Sequence, residues 1–309
     1  MILSAGLTPA WQQILVFDNF RHGEVNRARE TAWAASGKVF NAALAAHHLG
    51  GPSMVLAAVG GPPLEQINSQ FDVLGINRRW IETKAATRVC TTILDRATGT
   101  VTELVENGCP MSSEELDLFE RAYAEEVARA KVAVLIGSLP TGAPEDFYRR
   151  LLEKTSCPAV VDARCEPLLA ALDCKPLVVK PNREELGQTV GRPLDDDDEF
   201  VAAMKSLNKR GAGWVVVSQG HHPVWLSSAS DTFRFHPPTI DEVVNPIGCG
   251  DAMAGAIAWA IREGRQMVDA TKLAIAAACD NLAQLLPCRL DLKRVEQIAA
   301  NVRVEKLAG

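Results

Sequence analysis

Four short apolar runs separated by helical patterns constrain this chain more than any other feature. They lie at 131–137 (KVAVLIG), 159–163 (AVVDA), 177–180 (LVVK) and 214–218 (WVVVS). Helical spacing fills 143–154 and 196–210 between them. Near-continuous apolar strands alternating with helices predict a mostly parallel sheet covered on both faces, a three-layer α/β/α sandwich. Sheets of this kind bind ligands at the carboxyl ends of their strands. That rule directs attention to the residues from Gly137, Lys180 and Ser218 onward.

Two regions break the rhythm. Segments 14–33 and 87–105 read as antiparallel strands, the second a hairpin about the turn at 95–99. Inserted beside an α/β core, they predict one small β-sheet acting as a lid, with strands at about 12–35 and 87–106. The last third reads as helical, over 250–263, 268–285 and 290–300. The acidic run 195–199 (DDDDE) reads as a helix N-terminus, where carboxylates complement the helix dipole.

With 309 residues the chain suits a single domain spanning 1–309, a core plus its lid. A net charge of -6 without a Lys/Arg cluster argues against a long nucleic-acid partner. No apolar run reaches the roughly 20 residues of a membrane span. The first ten residues lack a basic start and read as a strand, not a signal peptide. Eight cysteines without metal-type spacing read as reduced thiols, which points to the cytoplasm.

The strongest motif is 245–255 (NPIGCGDAMAG). Two glycines let the backbone N–H groups of Gly248, Cys249 and Gly250 converge ahead of a helix start, an arrangement that holds anions. Asp251, in the first helical turn, suits a general base acting on a hydroxyl that attacks a phosphoryl group; the plainer alternative is a helix cap. No Walker-type phosphate loop occurs, and the glycine spacing does not fit a dinucleotide fingerprint. In the second motif, Lys180-Pro181-Asn182-Arg183-Glu184-Glu185, Asn182 and Glu185 form a capping box or hold water ligands of Mg²⁺. The third, 35–43 (ASGKVFNAA), offers Gly37, Lys38 and Asn41 at a helix start. Ser138 follows a strand end in 137–142 (GSLPTG). Arg88 could grip a phosphate with two N–H groups.

Taken in order, these motifs resemble the PfkB family of the ribokinase superfamily, on the 1-phosphofructokinase and tagatose-6-phosphate kinase branch. The resemblance runs from 7–10 (LTPA) through 20–29 (FRHGEVNRAR), 36–43, 87–88, 101–104 and 137–142 to 180–186, 215–220 and 245–255. It implies a ribokinase-like fold and an ATP- and Mg²⁺-dependent kinase acting on a sugar phosphate such as fructose 1-phosphate or tagatose 6-phosphate. Asp251 would be the base, and Gly248, Cys249 and Gly250 the anion hole. Gln12, Arg27, Gly37, Lys38, Asn41, Arg88 and Ser138 would meet the sugar phosphate. Lys180, Asn182, Ser218 and Gly220 would face ATP, and Asn182 and Glu185 would act on the metal through water. The branch also implies a homodimer joined through the lid.

Several positions depart from the family pattern. Gln12 stands where the family has an aspartate that holds sugar hydroxyls. Ser36 and Val39 replace glycines, and Cys249 replaces alanine; a helix start can lower a thiol pKa, but Cys249 reads as an unreactive substitute for alanine. These changes leave two other readings open: a non-catalytic metabolite sensor on the same fold, or a kinase for an unphosphorylated sugar or nucleoside.

Overall fold

The computed structural model describes residues 1–240 and 243–307. The chain opens with β1 (Ile2–Gly6), β2 (Ala10–Phe17) and β3 (Glu30–Ser36), then α1 (Lys38–His48) and β4 (Ser53–Val59). Next come α2 (Pro63–Leu74), β5 (Asn77–Glu82), β6 (Arg88–Asp95) and β7 (Thr100–Val105). The middle alternates α3 (Ser113–Val127), β8 (Val132–Ile136), α4 (Phe147–Leu152), β9 (Ala159–Asp162), α5 (Cys165–Ala171) and β10 (Val178–Val179). Helices α6 (Arg183–Val190) and α7 (Asp197–Arg210) lead to β11 (Trp214–Val217), β12 (Val224–Ser227) and β13 (Thr232–His236). The described chain closes with α8 (Cys249–Arg262), α9 (Met267–Leu282), α10 (Leu292–Ala299) and β14 (Arg303–Leu307).

Ten strands form the main sheet, in the order β14-β13-β12-β11-β10-β9-β8-β1-β4-β5. From β11 to β5 every pairing is parallel; β12, β13 and β14 extend one edge antiparallel. Alternate side chains feed two cores, as the two-residue period of a strand requires. Val132, Val134 and Ile136 pack with α1, α2, α8 and α9, while Ala133 and Leu135 pack with α3, α4 and α7 on the other face. The sheet is therefore the middle layer of an α/β/α sandwich.

The four apolar runs are β8, β9, β10 and β11, side by side in the parallel part of the sheet. The acidic run starts α7, where the Asp196 side chain accepts hydrogen bonds from the N–H groups of Asp198 and Glu199. Other expectations need correction. The helix expected over 143–154 is only Phe147–Leu152, because Pro144 lies in a turn that precedes it. The last third is not wholly helical, since β14 returns to pair with β13. Its charged, half-exposed pattern at a sheet edge lacks the apolar run of a buried strand.

Four strands form the small sheet, in the order β3-β2-β6-β7. Pairs β2–β3 and β6–β7 are antiparallel as expected, but β2 and β6 meet in parallel. One face carries Gln12, Ile14 and Val16 of β2, Thr92 and Leu94 of β6, and Val101 and Glu103 of β7. Its apolar tip, Ile14, Val16, Leu94 and Val101, packs on Leu285 and Leu286 beyond α9. That contact seats the sheet over the carboxyl ends of the main-sheet strands.

Close helix packing completes the frame. A side chain at Gly255 of α8 would run into the Ala42 carbonyl oxygen of α1. The two helices approach closely enough there that only glycine fits, which brings their N-terminal ends together.

Candidate active site

The cleft between the two sheets has a volume of about 390 Å³. Its walls are the starts of α1 and α8, the ends of β9, β10 and β11, and the underside of the small sheet. Gln12, Gly37, Lys38, Asn41, Arg88, Lys180, Asn182, Glu185, Ser218, Gly248, Cys249, Gly250 and Asp251 all line it. Residues up to 239 apart in sequence thus meet because strand ends and helix starts share one edge of the sheet.

Gly248 precedes α8 with φ of 85°, a left-handed conformation that a glycine adopts without strain. Two buried asparagines hold the loop in shape. Asn245 accepts from the Ile247 N–H (3.0 Å) and donates to the Leu285 carbonyl (2.8 Å). Asn281 donates to the Ile247 carbonyl (2.9 Å) and accepts from the Cys288 N–H (2.7 Å). Val243 and Val244 form no strand before this loop; the Val244 N–H bonds the Leu282 carbonyl instead.

Asp251 is buried, and the Asn41 amide donates to its Oδ2 at 2.8 Å. Ser36 in turn donates to the Asn41 carbonyl oxygen at 3.1 Å, which orients that amide. Burial pushes the Asp251 carboxyl up to about 6, against the pull of Lys38 and the Asn41 hydrogen bond. A carboxylate tuned toward neutral pH is a competent proton acceptor.

Beneath it lies a charge network absent from the sequence-based expectations. Asp162, at the end of β9, is buried between two ammonium groups: Lys38 at 2.9 Å and Lys180 at 2.7 Å. Lys38 also reaches Glu185 at 3.4 Å. Burial raises the Asp162 carboxyl, but Lys180 and Lys38 outweigh it and hold the group below the usual carboxylate range. The Asp162 charge in turn holds Lys38 well above the usual lysine range. Lys180 is buried with its Nζ close under Gly250. Lys180 therefore stands beside the N–H groups that open α8, and Lys38 lines the same cleft. The one sequence signal for Asp162 is a lone acid ending an apolar strand.

Asn182 and Glu185 do form the capping box. The Glu185 N–H donates to Asn182 Oδ1 (2.8 Å), and the Asn182 N–H donates to Glu185 Oε2 (2.9 Å). Both still line the cleft. Among the described residues no group of three or more His, Cys, Asp or Glu could hold a metal directly. Oxygen donors at the cleft edge fit Mg²⁺ only through its water shell. Ser218 pairs with Asn182 as an isolated bridge, and with Gly220 it borders a neighbouring groove of about 780 Å³.

Arg88 lines the cleft, but three of its N–H groups face backbone carbonyls: Pro9 (3.3 Å), Glu106 (3.2 Å) and Thr8 (3.1 Å). Two of its five donors remain for a ligand. Ser138, held near Thr8, lines an adjoining groove with Lys38, Arg88 and Arg164. Gln12 is buried, its amide donating to Thr92 at 2.7 Å.

Arg27 is exposed on the loop between β2 and β3 and does not line the cleft. Ala10 pairs with Ser36 at the cleft end and Val16 with Glu30 at the far end, six residues or about 20 Å away. Burial pushes the Cys249 thiol up to about 11 despite a hydrogen bond from Asn281, in keeping with an unreactive substitute for alanine.

A model of the pfkB family carbohydrate kinases matches residues 3–284. A possible 1-phosphofructokinase from Thermotoga maritima superposes with a TM-score of 0.90 at 21% identity, covering 99% of each chain. The tetrameric inhibited form of Escherichia coli phosphofructokinase-2 gives 0.87 at 24% identity, covering 97% of this chain and 98% of that one. Arabidopsis thaliana ribokinase complexed with ribose and ATP gives 0.75 at 19%, covering 96% and 98%. Among the described residues no helix is long and apolar enough to cross a membrane.

Proposed function

Because this chain belongs to the pfkB family of carbohydrate kinases, we propose that it moves the γ-phosphoryl group of ATP to a hydroxyl of a sugar phosphate. The substrate proposed is of the fructose 1-phosphate or tagatose 6-phosphate kind. The observation that carries this reading is Asp251: a buried carboxylate raised to about 6, hydrogen-bonded by Asn41, in the first turn behind Gly248, Cys249 and Gly250. In this reading Asp251 takes the hydroxyl proton, and the backbone N–H groups with Lys180 stabilise charge on the transferring phosphoryl. Lys38, Arg88 and Ser138 hold the substrate's own phosphate. Asn182, Ser218 and Gly220 border ATP. Mg²⁺, when bound, neutralises phosphate charge, with Asn182 and Glu185 ordering its waters.

The test is ADP release against fructose 1-phosphate, fructose 6-phosphate, tagatose 6-phosphate and their unphosphorylated sugars, across pH 5 to 9. Turnover is expected only with phosphorylated sugars, with an acid limb near pH 6 as Asp251 loses its proton. Equal turnover of the unphosphorylated sugars would remove the phosphate assignment. A rate flat down to pH 5 would remove Asp251 as base.

The proposal extends to a homodimer joined through the small sheet, and to a cytoplasmic setting that suits eight free thiols. The face of that sheet turned away from the cleft carries Trp11 stacked on Trp33 at 5.8 Å, with Trp33 and Leu104 exposed. Light scattering should give twice the 33.4 kDa chain mass, and Trp33→Glu should halve it; a wild type that stays monomeric at working concentration sinks this part.

A further inference from the structure

The cleft is crowded with cations suited to phosphates, namely Lys38, Lys180 and Arg88. A sugar phosphate also presents neutral hydroxyls, which need acceptors. The roof of the cleft supplies a row of three polar side chains for them. Gln12 of β2 donates to Thr92 of β6 at 2.7 Å, and Thr92 stands directly opposite Glu103 of β7. Glu103 shares a sheet face with Val101, whose packing against Ile14 and Leu94 shows that this face turns inward. Glu103 lines the same cleft as Gln12, Asn41 and Asp251. Among the described residues its carboxylate has no hydrogen-bond partner and no ion pair. Glu103 is exposed in the open cleft, yet the surrounding protein withdraws enough water to raise its carboxyl, and only the charge of Arg88 opposes that shift. Gln12 is uncharged and its amide N–H is committed to Thr92, so the single carboxylate on this roof belongs to Glu103.

We infer that Glu103 is a substrate-binding residue that accepts hydrogen bonds from hydroxyls of the sugar and so selects for the polyol part of the ligand. This rests on the sugar-phosphate reading above. A carboxylate accepts two hydroxyls at once, and such charge-assisted bonds are stronger than neutral ones. A partnerless acid amid cations otherwise has only a cost, since it weakens anion binding.

That cost gives the test a sign. Wild type, Glu103→Gln and Glu103→Asp are titrated with fructose 1-phosphate, tagatose 6-phosphate and inorganic phosphate, followed by calorimetry and by thermal shift. Glu103→Gln should weaken the better sugar phosphate about 10–100-fold, with Glu103→Asp between the two. Inorganic phosphate should bind the variant as well as or better than wild type, and the KM for ATP should hold within about two-fold. The unliganded melting temperature should not move, because Glu103 supports nothing in the fold. If Glu103→Gln binds sugar phosphate as tightly as wild type, or more tightly, the residue acts only as a negative charge and the inference is overturned. If wild type binds neither sugar phosphate, the substrate class proposed above falls, and this inference falls with it.

Discussion

Replacing Asp251 with asparagine is expected to lower the rate of phosphoryl transfer by about 10²–10⁴-fold while making the protein more stable at pH 8. The rate loss follows from removing a positioned general base. The stability gain follows from the raised carboxyl. An aspartate in the unfolded chain titrates at about 3.9, whereas folded Asp251 titrates at about 6. The folded state therefore binds the proton more tightly, and ionising Asp251 costs folding free energy. That cost is absent below about pH 4 and fully present above about pH 6, where it amounts to about 3 kcal/mol. Asparagine removes the charge and can still accept the bond from Asn41. Thermal melts of both proteins at pH 4 and pH 8 decide it. The variant should melt a few degrees higher at pH 8 and level with wild type at pH 4. A variant less stable than wild type at pH 8 shows that the carboxylate is held by attraction rather than strained by burial.

The second large effect is expected at Asp162. Changing it to asparagine leaves Lys180, which is buried, without its counter-charge. Breaking a buried pair from one side costs about 3–5 kcal/mol, because a charge is left uncompensated. The Lys38 contact adds less, since that side chain is 39% exposed. Activity should fall as well, because both ammoniums lose the anchor that points them at the cleft. Adding Lys180→Met should restore part of the stability but none of the activity, a coupling that double-mutant melts read directly. If Asp162→Asn melts with wild type, the network is ornamental. Its folded carboxyl lies below the unfolded value, so the stability from Asp162 is present above about pH 4 and lost as the pH falls further.

These two residues differ in how far the sequence exposed them. Asp251 sits in a local pattern, two glycines and an acid ahead of a helix, whose chemistry can be read over seven residues. The Asn182 and Glu185 capping box is legible for the same reason, since both partners lie within one helical turn. Asp162 is invisible at that range: its run reads as an ordinary strand, and its partners are 124 residues before it and 18 after. Glu103 falls within 101–104, which the resemblance includes, but nothing local assigns it a role. It lies on a strand exposed along most of its length, and only the register opposite Thr92 shows that it faces the cleft. Arg27 is drawn toward the site by resemblance, while the length of β2 places it at the far end of the small sheet in this chain.

What the chain order alone determined is the run of buried strands with intervening helices, and with it a parallel sheet whose strand ends collect the motifs. That much follows from periodicity and burial, which are properties of neighbouring residues. The tertiary structure decided the register of the small sheet, the parallel meeting of β2 with β6, the antiparallel edge closed by β14, and the values at which Asp251 and Cys249 hold their protons. Each of these depends on desolvation and on contacts between distant segments.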